Sequence, residues 1–161
     1  MTKILMVCTA NICRSPMARD VAQHMAREMA GVAHFKFDSA GTRALPGGER
    51  VDPRARSVLT RRGYKPGNKR SRPVNEQDFG RFDLIVAMDR ANLALLQGLC
   101  PAQHQHKLHL LLEFAPTLGI SEVPDPYHGN LAGFERVLGL CEDGVRGLLV
   151  AMRQRLGAGD V

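Results

Sequence analysis

The segment Val7-Cys8-Thr9-Ala10-Asn11-Ile12-Cys13-Arg14-Ser15-Pro16 puts two thiols, a guanidinium and a hydroxyl directly after an apolar run. A thiolate is a strong nucleophile, and an arginine can grip two oxygens of a phosphate through parallel hydrogen bonds. Between Cys8 and Arg14 there is enough exposed backbone for a loop whose N–H groups face an anion. If that loop joins a strand end to a helix N-terminus, the helix field favours both a bound anion and an ionised Cys8. The pKa of Cys8 is then expected well below its free value of about 8.5. Ser15 can donate a hydrogen bond to the thiolate. A Walker-type loop would end in Gly-Lys-Ser/Thr, and that ending is missing. A phosphate cradle built on a thiolate rather than a lysine points to covalent attack on phosphorus, not to nucleotide binding.

Attack on phosphorus needs a proton for the departing oxygen. Val123-Pro124-Asp125-Pro126-Tyr127 offers a carboxyl between two rigid prolines, beside an aromatic ring. Asp-Pro alone is a common turn initiator. In a long loop after a fourth strand it can also reach the same end of the sheet.

The flanking pattern supplies the elements that must position these groups. Ile4 to Val7 reads as a buried strand. Ser15-Pro16 reads as N-cap and first residue of a helix with Met17, Val21, Met25 and Met29 on its core face, stopped at Gly31. Phe35 and Phe37 alternate with polar neighbours in a second strand that ends in Ser39-Ala40-Gly41-Thr42. Asp52-Pro53 opens a short helix closed by Gly63. Leu84 to Met88 is a third strand, and Asp89 caps the helix that follows. Leu108 to Leu112 is a fourth strand. After a turn-rich loop, Phe134, Val137, Leu138, Cys141, Val145, Leu148, Leu149 and Met152 recur at helical spacing. Strand and helix alternating four times predict an α/β fold, a four-stranded parallel sheet with helices on both faces. Ligands bind such sheets at the carboxyl ends of strands, which is where the phosphate-binding loop after the first strand falls.

The 161 residues fit a single domain spanning 1–161. With 44% hydrophobic and 24% charged residues, the composition is that of a soluble globular chain. No apolar run approaches the roughly 20 residues of a membrane helix, and the run after Met1-Thr2-Lys3 is too short for a signal peptide. The expectation is a cytoplasmic protein without membrane insertion. Cys8, Cys13, Cys100 and Cys141 fit a reducing compartment, and no Cys-x-x-Cys pair suggests zinc. Cys100 and Cys141 read as core. His104, His106 and His109 lack a carboxylate or cysteine at ligand spacing, so they read as an exposed strand edge rather than a metal site. The net charge of +6 does not point to nucleic acid, because the basic residues are scattered among acids and aromatics make up only 5%. One cluster, Arg61, Arg62, Lys65, Lys69, Arg70 and Arg72, is either a solvated loop face or a lure for an anionic substrate.

Cys8 to Pro16, followed in order by Ser39-Ala40-Gly41-Thr42, Asp52-Pro53-Arg54-Ala55, Met88-Asp89 and Asp125-Pro126-Tyr127, resembles the low-molecular-weight protein-tyrosine phosphatases of bacterial type over nearly the whole length. The resemblance implies a Rossmann-like sheet and hydrolysis of phosphotyrosine in proteins, or of small aryl phosphates, through phosphocysteine, with no metal or other cofactor. By it, Cys8 is the nucleophile, Arg14 binds phosphate and stabilises the transition state, and Asp125 is general acid and then base. Thr9, Ala10, Asn11, Ile12, Cys13 and Ser15 would surround the phosphate. Asn11, Ser15 and Ser39 would hold the loop by hydrogen bonds, and Tyr127 would line the slot for the aromatic ring. Cys8 and Cys13 would be able to pair on oxidation. Three positions depart from the pattern. Ala10 stands where glycine is usual, which implies strain if the loop needs glycine there. Leu45 stands at an aromatic wall position, and Lys69 roughly where some members carry a histidine in the loop network. An arsenate reductase of the same architecture would need a late, closely spaced cysteine pair, and Cys100 and Cys141 are far apart. A phosphotyrosine-binding module without activity would be expected to lack Cys8 or Asp125, and both are present.

Overall fold

Along β1 (Lys3–Cys8) side chains alternate between two buried faces. Ile4, Met6 and Cys8 enter one hydrophobic cluster, while Leu5 and Val7 enter the other. A strand buried on both sides needs helices above and below, and the computed structural model, which describes residues 1–159, has them. β1 is followed by α1 (Arg14–Glu28), β2 (Lys36–Gly41), α2 (Pro53–Arg61), α3 (Glu76–Arg81) and β3 (Leu84–Ala87). Next come α4 (Arg90–Leu99), β4 (Leu108–Leu110) and the long α5 (Leu131–Gly159). Residues 160 and 161 of the expected single domain lie outside the described residues. Among the described residues, no helix is long and apolar enough to cross a membrane.

The strands pair in parallel in the order β2-β1-β3-β4. Met17 and Val21 of α1, Val58 and Leu59 of α2, and Phe134, Val137 and Leu138 of α5 cover the Cys8 face. Phe79 of α3 and Leu96 of α4 cover the other. The chain leaves β1 toward β2, then crosses back to place β3 on the opposite side. The carboxyl ends of β1 and β3 therefore flank the point where strand order reverses, and their loops open a crevice there.

Several boundaries differ from the sequence expectation. The fourth strand ends at Leu110, and Leu111 to Phe114 turn into a 3-10 helix. A continuous apolar run does not mark where a strand stops, and here Leu111 and Leu112 turn into the core beneath α5. α3 was not anticipated. It starts from a reciprocal cap in which Asn75 accepts from the Asp78 N–H and Asp78 accepts from the Asn75 N–H. Of the three histidines only His109 lies in β4, where it meets Glu113 at 3.0 Å; His104 and His106 stand in a 3-10 helix, Ala102–Lys107. Cys141 is fully buried and Cys100 nearly so, as expected of core residues.

Gly144 and Gly147 let the 3-10 segment lie directly on α5. A Cβ at Gly147 would stand 1.8 Å from the Phe114 carbonyl oxygen. Gly147→Ala must therefore displace backbone and should cost about 1–3 kcal/mol, lowering Tm by roughly 2–4 °C per kcal/mol. Gly139 on the same helix has nothing within 4 Å of its Cβ position. There the same change should stabilise by up to about 1 kcal/mol through helix propensity. Thermal denaturation of the two variants should show opposite signs; a rise in both would mean that packing does not decide Gly147.

Candidate active site

The two-residue period of β1 sends Cys8 toward α1, at the end of the sheet, where it is 1% exposed. Its Sγ lies 2.9 Å from Ser15 Oγ. Asn11 Nδ2 donates to that same oxygen at 2.8 Å, so the serine proton can go to the sulfur, with the Ala40 carbonyl a more distant acceptor at 3.5 Å. Ser15 is not the helix cap that the Ser-Pro signature suggested. α1 begins two residues earlier than that signature places it, at Arg14, with Cys13 in the cap position and no side-chain capping bond. The serine hydroxyl belongs to the thiol instead. The uncapped first turn keeps free N–H groups at its end, while Pro16 has none to leave unpaired.

The loop between Cys8 and α1 is held from outside by its carbonyls. Cys8 O and Thr9 O accept from the N–H groups of Thr42 and Arg43, both at 2.9 Å. Ile12 O accepts from Asp52 N at 2.8 Å and Cys13 O from Met17 N at 3.2 Å. With the carbonyls turned outward, the loop's N–H groups are left to its concave side. Asn11, at φ 61°, is the one non-glycine residue with positive φ among the described residues. Asparagine tolerates that conformation better than most residues. Ala10 is not in the left-handed region, so the strain expected there is absent. Gly41 at the end of β2 is needed for a different reason. A Cβ there would stand 2.5 Å from the Thr9 carbonyl oxygen.

Two supporting roles fall elsewhere than expected. Asn11 Oδ1 accepts from the Arg72 backbone N–H at 3.0 Å, whereas Lys69 reaches Asp38 at 3.3 Å. Arg72 is itself fixed by Asp78 at 3.0 and 3.1 Å and by Asp38 at 3.3 Å. Ser39 Oγ accepts from Arg19 Nη1 at 2.9 Å. It ties β2 to α1 rather than joining the Asn11–Ser15 pair.

Arg14 is nearly fully buried. Its Nη1 donates to Asp89 Oδ2 at 2.6 Å and to the Val123 carbonyl at 3.0 Å. Its Nη2 reaches Thr9 Oγ1 at 3.3 Å and lies 3.8 Å from Asp125 Oδ2. Burial works against the charge of this guanidinium, but Asp89, Cys8 and Asp125 outweigh it and the pKa of Arg14 is raised. The sequence marked Asp89 only as a cap. It does cap α4, accepting from Asn92 N at 2.8 Å, while its other oxygen holds Arg14. Asn92, not anticipated at all, donates to Thr9 Oγ1 at 3.0 Å. The Asp125 loop is docked where Val123 N meets Met88 O at 2.8 Å, just past β3. From α2, Arg54 holds the Tyr127 and Gly129 carbonyls at 2.9 and 3.2 Å, and Asp52 holds Arg54 at 2.8 Å.

These groups close a cavity of about 220 Å³. Cys8, Thr9, Ala10, Ile12, Cys13 and Arg14 line it, with Glu49, Asp125 and Tyr127 as further lining residues. Leu45 is not among the lining residues. It is 63% exposed, at the start of the turn at Pro46-Gly47, and Glu49 beyond that turn takes a place on the wall. Asn11, Ser15 and Ser39 support the cavity without lining it. Burial first, then the fields of Asp52, Cys8 and Asp125, pushes the Cys13 pKa up to about 12, so this second sulfur stays a thiol. Among the described residues no group of three His, Cys, Asp or Glu side chains could hold a metal ion. The arrangement suits a tetrahedral anion seated on the loop, with a thiol below it, a guanidinium beside it and a carboxyl at the mouth.

Residues 3–158 match the family model for low molecular weight phosphotyrosine protein phosphatases. A low molecular weight protein-tyrosine-phosphatase of Streptomyces coelicolor is 39% identical over 158 residues, covering 96% of this chain and 95% of the relative. The crystal structure of a protein tyrosine phosphatase from Entamoeba histolytica superposes with a TM-score of 0.90 at 38% identity, over the full length of both chains. A low molecular weight phosphotyrosine phosphatase from Vibrio cholerae O395 also gives 0.90, at 37% identity, covering 96% of this chain and 99% of its own. On family model, sequence and fold alike, this chain belongs to the low molecular weight phosphotyrosine protein phosphatases.

Proposed function

We propose that the chain hydrolyses phosphotyrosine on proteins, and small aryl phosphates, by two displacements at phosphorus. The observation that carries this reading is the convergence of Cys8, Arg14 and Asp125 on one narrow cavity. The phosphate seats on the inward N–H groups of the loop and on Arg14. The Cys8 thiolate attacks phosphorus, the bond to the aryl oxygen breaks, and Asp125 gives its proton to that oxygen. A phosphocysteine results. Water then attacks phosphorus, Asp125 takes a proton from it, the S–P bond breaks, and inorganic phosphate leaves. Ser15 steadies the sulfur as it gains and loses charge. Tyr127 flanks the ring of the substrate. No step calls for a metal or other cofactor, and the substrate in this reading is a protein or small molecule rather than a nucleic acid. Four free cysteines support a cytoplasmic setting.

A serine hydroxyl is a far weaker nucleophile than a thiolate, so Cys8→Ser should lose turnover yet still bind inorganic phosphate by titration. Loss of phosphate binding as well would mean that the loop does not stand without the sulfur.

Asp125 contributes most where the leaving group is poor. Asp125→Ala should lower kcat/KM for tyrosine phosphate by about 10²–10⁴, and by clearly less for p-nitrophenyl phosphate. Equal losses on the two substrates would remove Asp125 from the acid role.

Asp89 acts through Arg14. Asparagine can still cap α4, so Asp89→Asn should keep the fold but free the guanidinium. Expected are a loss in kcat/KM of about 30–100-fold, the lower end of the cost of breaking a buried charge pair, and weaker inhibition by phosphate. If both stay at parent values, Asp89 serves only as a helix cap.

A further inference from the structure

The basic cluster noted in the sequence is divided by the fold. Arg61 and Arg62 pair with Glu135 and Glu142 on α5. Arg72 is absorbed by Asp78 and Asp38 behind the phosphate-binding loop. Lys69 and Arg70 go elsewhere. Together with Arg50 and Arg56 they line a cavity of about 570 Å³ that has no acidic residue in its wall. Among the described residues Arg50, Arg56 and Arg70 form no ion pair, and Lys69 shares Asp38 with Arg72. The nearby carboxylates are already engaged. Asp20 accepts from Gly67 N at 3.1 Å and pairs with Arg19, and Asp52 pairs with Arg54. The cavity therefore keeps a local excess of positive charge.

This second cavity shares a wall with the first. Glu49 lines the phosphate cavity and the next residue, Arg50, lines the basic one. The wall is fixed at both ends. Glu49 N donates to Ser71 Oγ at 2.7 Å and Ser71 N donates to Glu49 O at 2.9 Å. Three residues on, Asp52 N holds the Ile12 carbonyl of the phosphate-binding loop at 2.8 Å. Arg56 is also steadied, through a 2.8 Å bond to Gly67 O. The cations thus stand on a rigid edge beside the catalytic mouth, not on a wandering loop. Glu49 and Arg50 are one residue step apart, about 3.8 Å between Cα atoms, so the two cavities flank a single stretch of backbone and lie within reach of a few residues of extended peptide at about 3.3–3.6 Å each.

We infer that the basic cavity is an anion subsite for the protein substrate. It takes a carboxylate or second phosphate carried about three or four residues from the phosphotyrosine. Glu49 on the catalytic side of the wall disfavours an acid immediately next to the phosphotyrosine. The two side chains together select for the position of negative charge, not merely its presence. This inference rests on the phosphotyrosine reading above, and its test separates the two.

Phosphotyrosine peptides carrying glutamate three or four residues away, glutamate adjacent, or only alanines would be compared by kcat/KM, with p-nitrophenyl phosphate as a substrate that has no flank. The distal-glutamate peptide should exceed the alanine peptide by about three- to tenfold, as expected of one or two exposed ion pairs, and the advantage should shrink as salt rises. In Arg50→Ala/Arg70→Ala the advantage should vanish while p-nitrophenyl phosphate hydrolysis is retained, and in Arg50→Glu/Arg70→Glu it should reverse. No distal preference in the parent, or one that survives in both double variants, overturns the subsite. Displacement of the distal-glutamate peptide's advantage onto a single-stranded oligonucleotide, bound at the cavity in place of the acidic peptide, also overturns it. If the parent fails to hydrolyse p-nitrophenyl phosphate, the catalytic reading falls alone. Calorimetric affinity for the distal-glutamate peptide, parent against double variant, would then still decide the cavity.

Discussion

An anion site made of backbone requires that peptide N–H groups converge while the oxygens of the same peptides are kept away. Much of this chain is arranged around that requirement. Each carbonyl of the Cys8–Cys13 loop that must turn outward needs a donor outside, and the donors come from four places: Thr42, Arg43, Asp52 and Met17. The reversal at Asn11 needs a residue that accepts positive φ, and its amide is held on both sides, by Ser15 and by the Arg72 backbone. Gly41 must lack a side chain because the loop lies against it. A site of this kind cannot be local. Its shape is borrowed from β2, α1 and the segments before α2 and α3.

The buried guanidinium imposes a second demand. A charge as enclosed as that of Arg14 is tolerable only with a partner, since burial without pairing is costly. Asp89 supplies the partner from the far side of the strand-order switch, and the Val123 carbonyl completes the pairing. The same two bonds join the loop after β1 to the loops after β3 and β4. Fixing the charge and assembling the crevice are one event, so the site and the fold around it are stabilised together. Cys13 sits within the same field as a protonated thiol, which leaves Cys8 as the one sulfur placed to react.

One backbone segment forms a wall of both the phosphate cavity and the basic cavity. Glu49 and Arg50 are adjacent in sequence and opposite in sign, and they line different cavities. Ser71 holds the backbone at Glu49, and Ile12 holds it at Asp52.

Sequence by itself determined the alternation of strands and helices, the reactive loop after β1, and Cys8, Arg14 and Asp125 as its chemical groups. Those features are local: a two- or 3.6-residue period, a cap, and reactive types within one short segment. The same locality explains the errors. Ser-Pro reads as a cap because the cap signature is local, yet the sulfur seven residues earlier in sequence competes for the hydroxyl and wins it. Leu108 to Leu112 reads as one strand because apolar burial looks alike in a strand and in a 3-10 turn. Asp89 reads only as a cap because its partner Arg14 lies 75 residues away, and the bond from the Arg72 backbone to Asn11 spans 61 residues. Leu45 reads as a slot residue and Glu49 gives no signal at all, since which one reaches the cavity wall depends on the course of the chain through the turn at Pro46-Gly47. The groups proposed for the chemistry were legible from residue type and spacing; how they are held was decided in large part by the tertiary structure, because bonds such as Arg14–Asp89 and Arg72–Asn11 join segments that no local pattern connects.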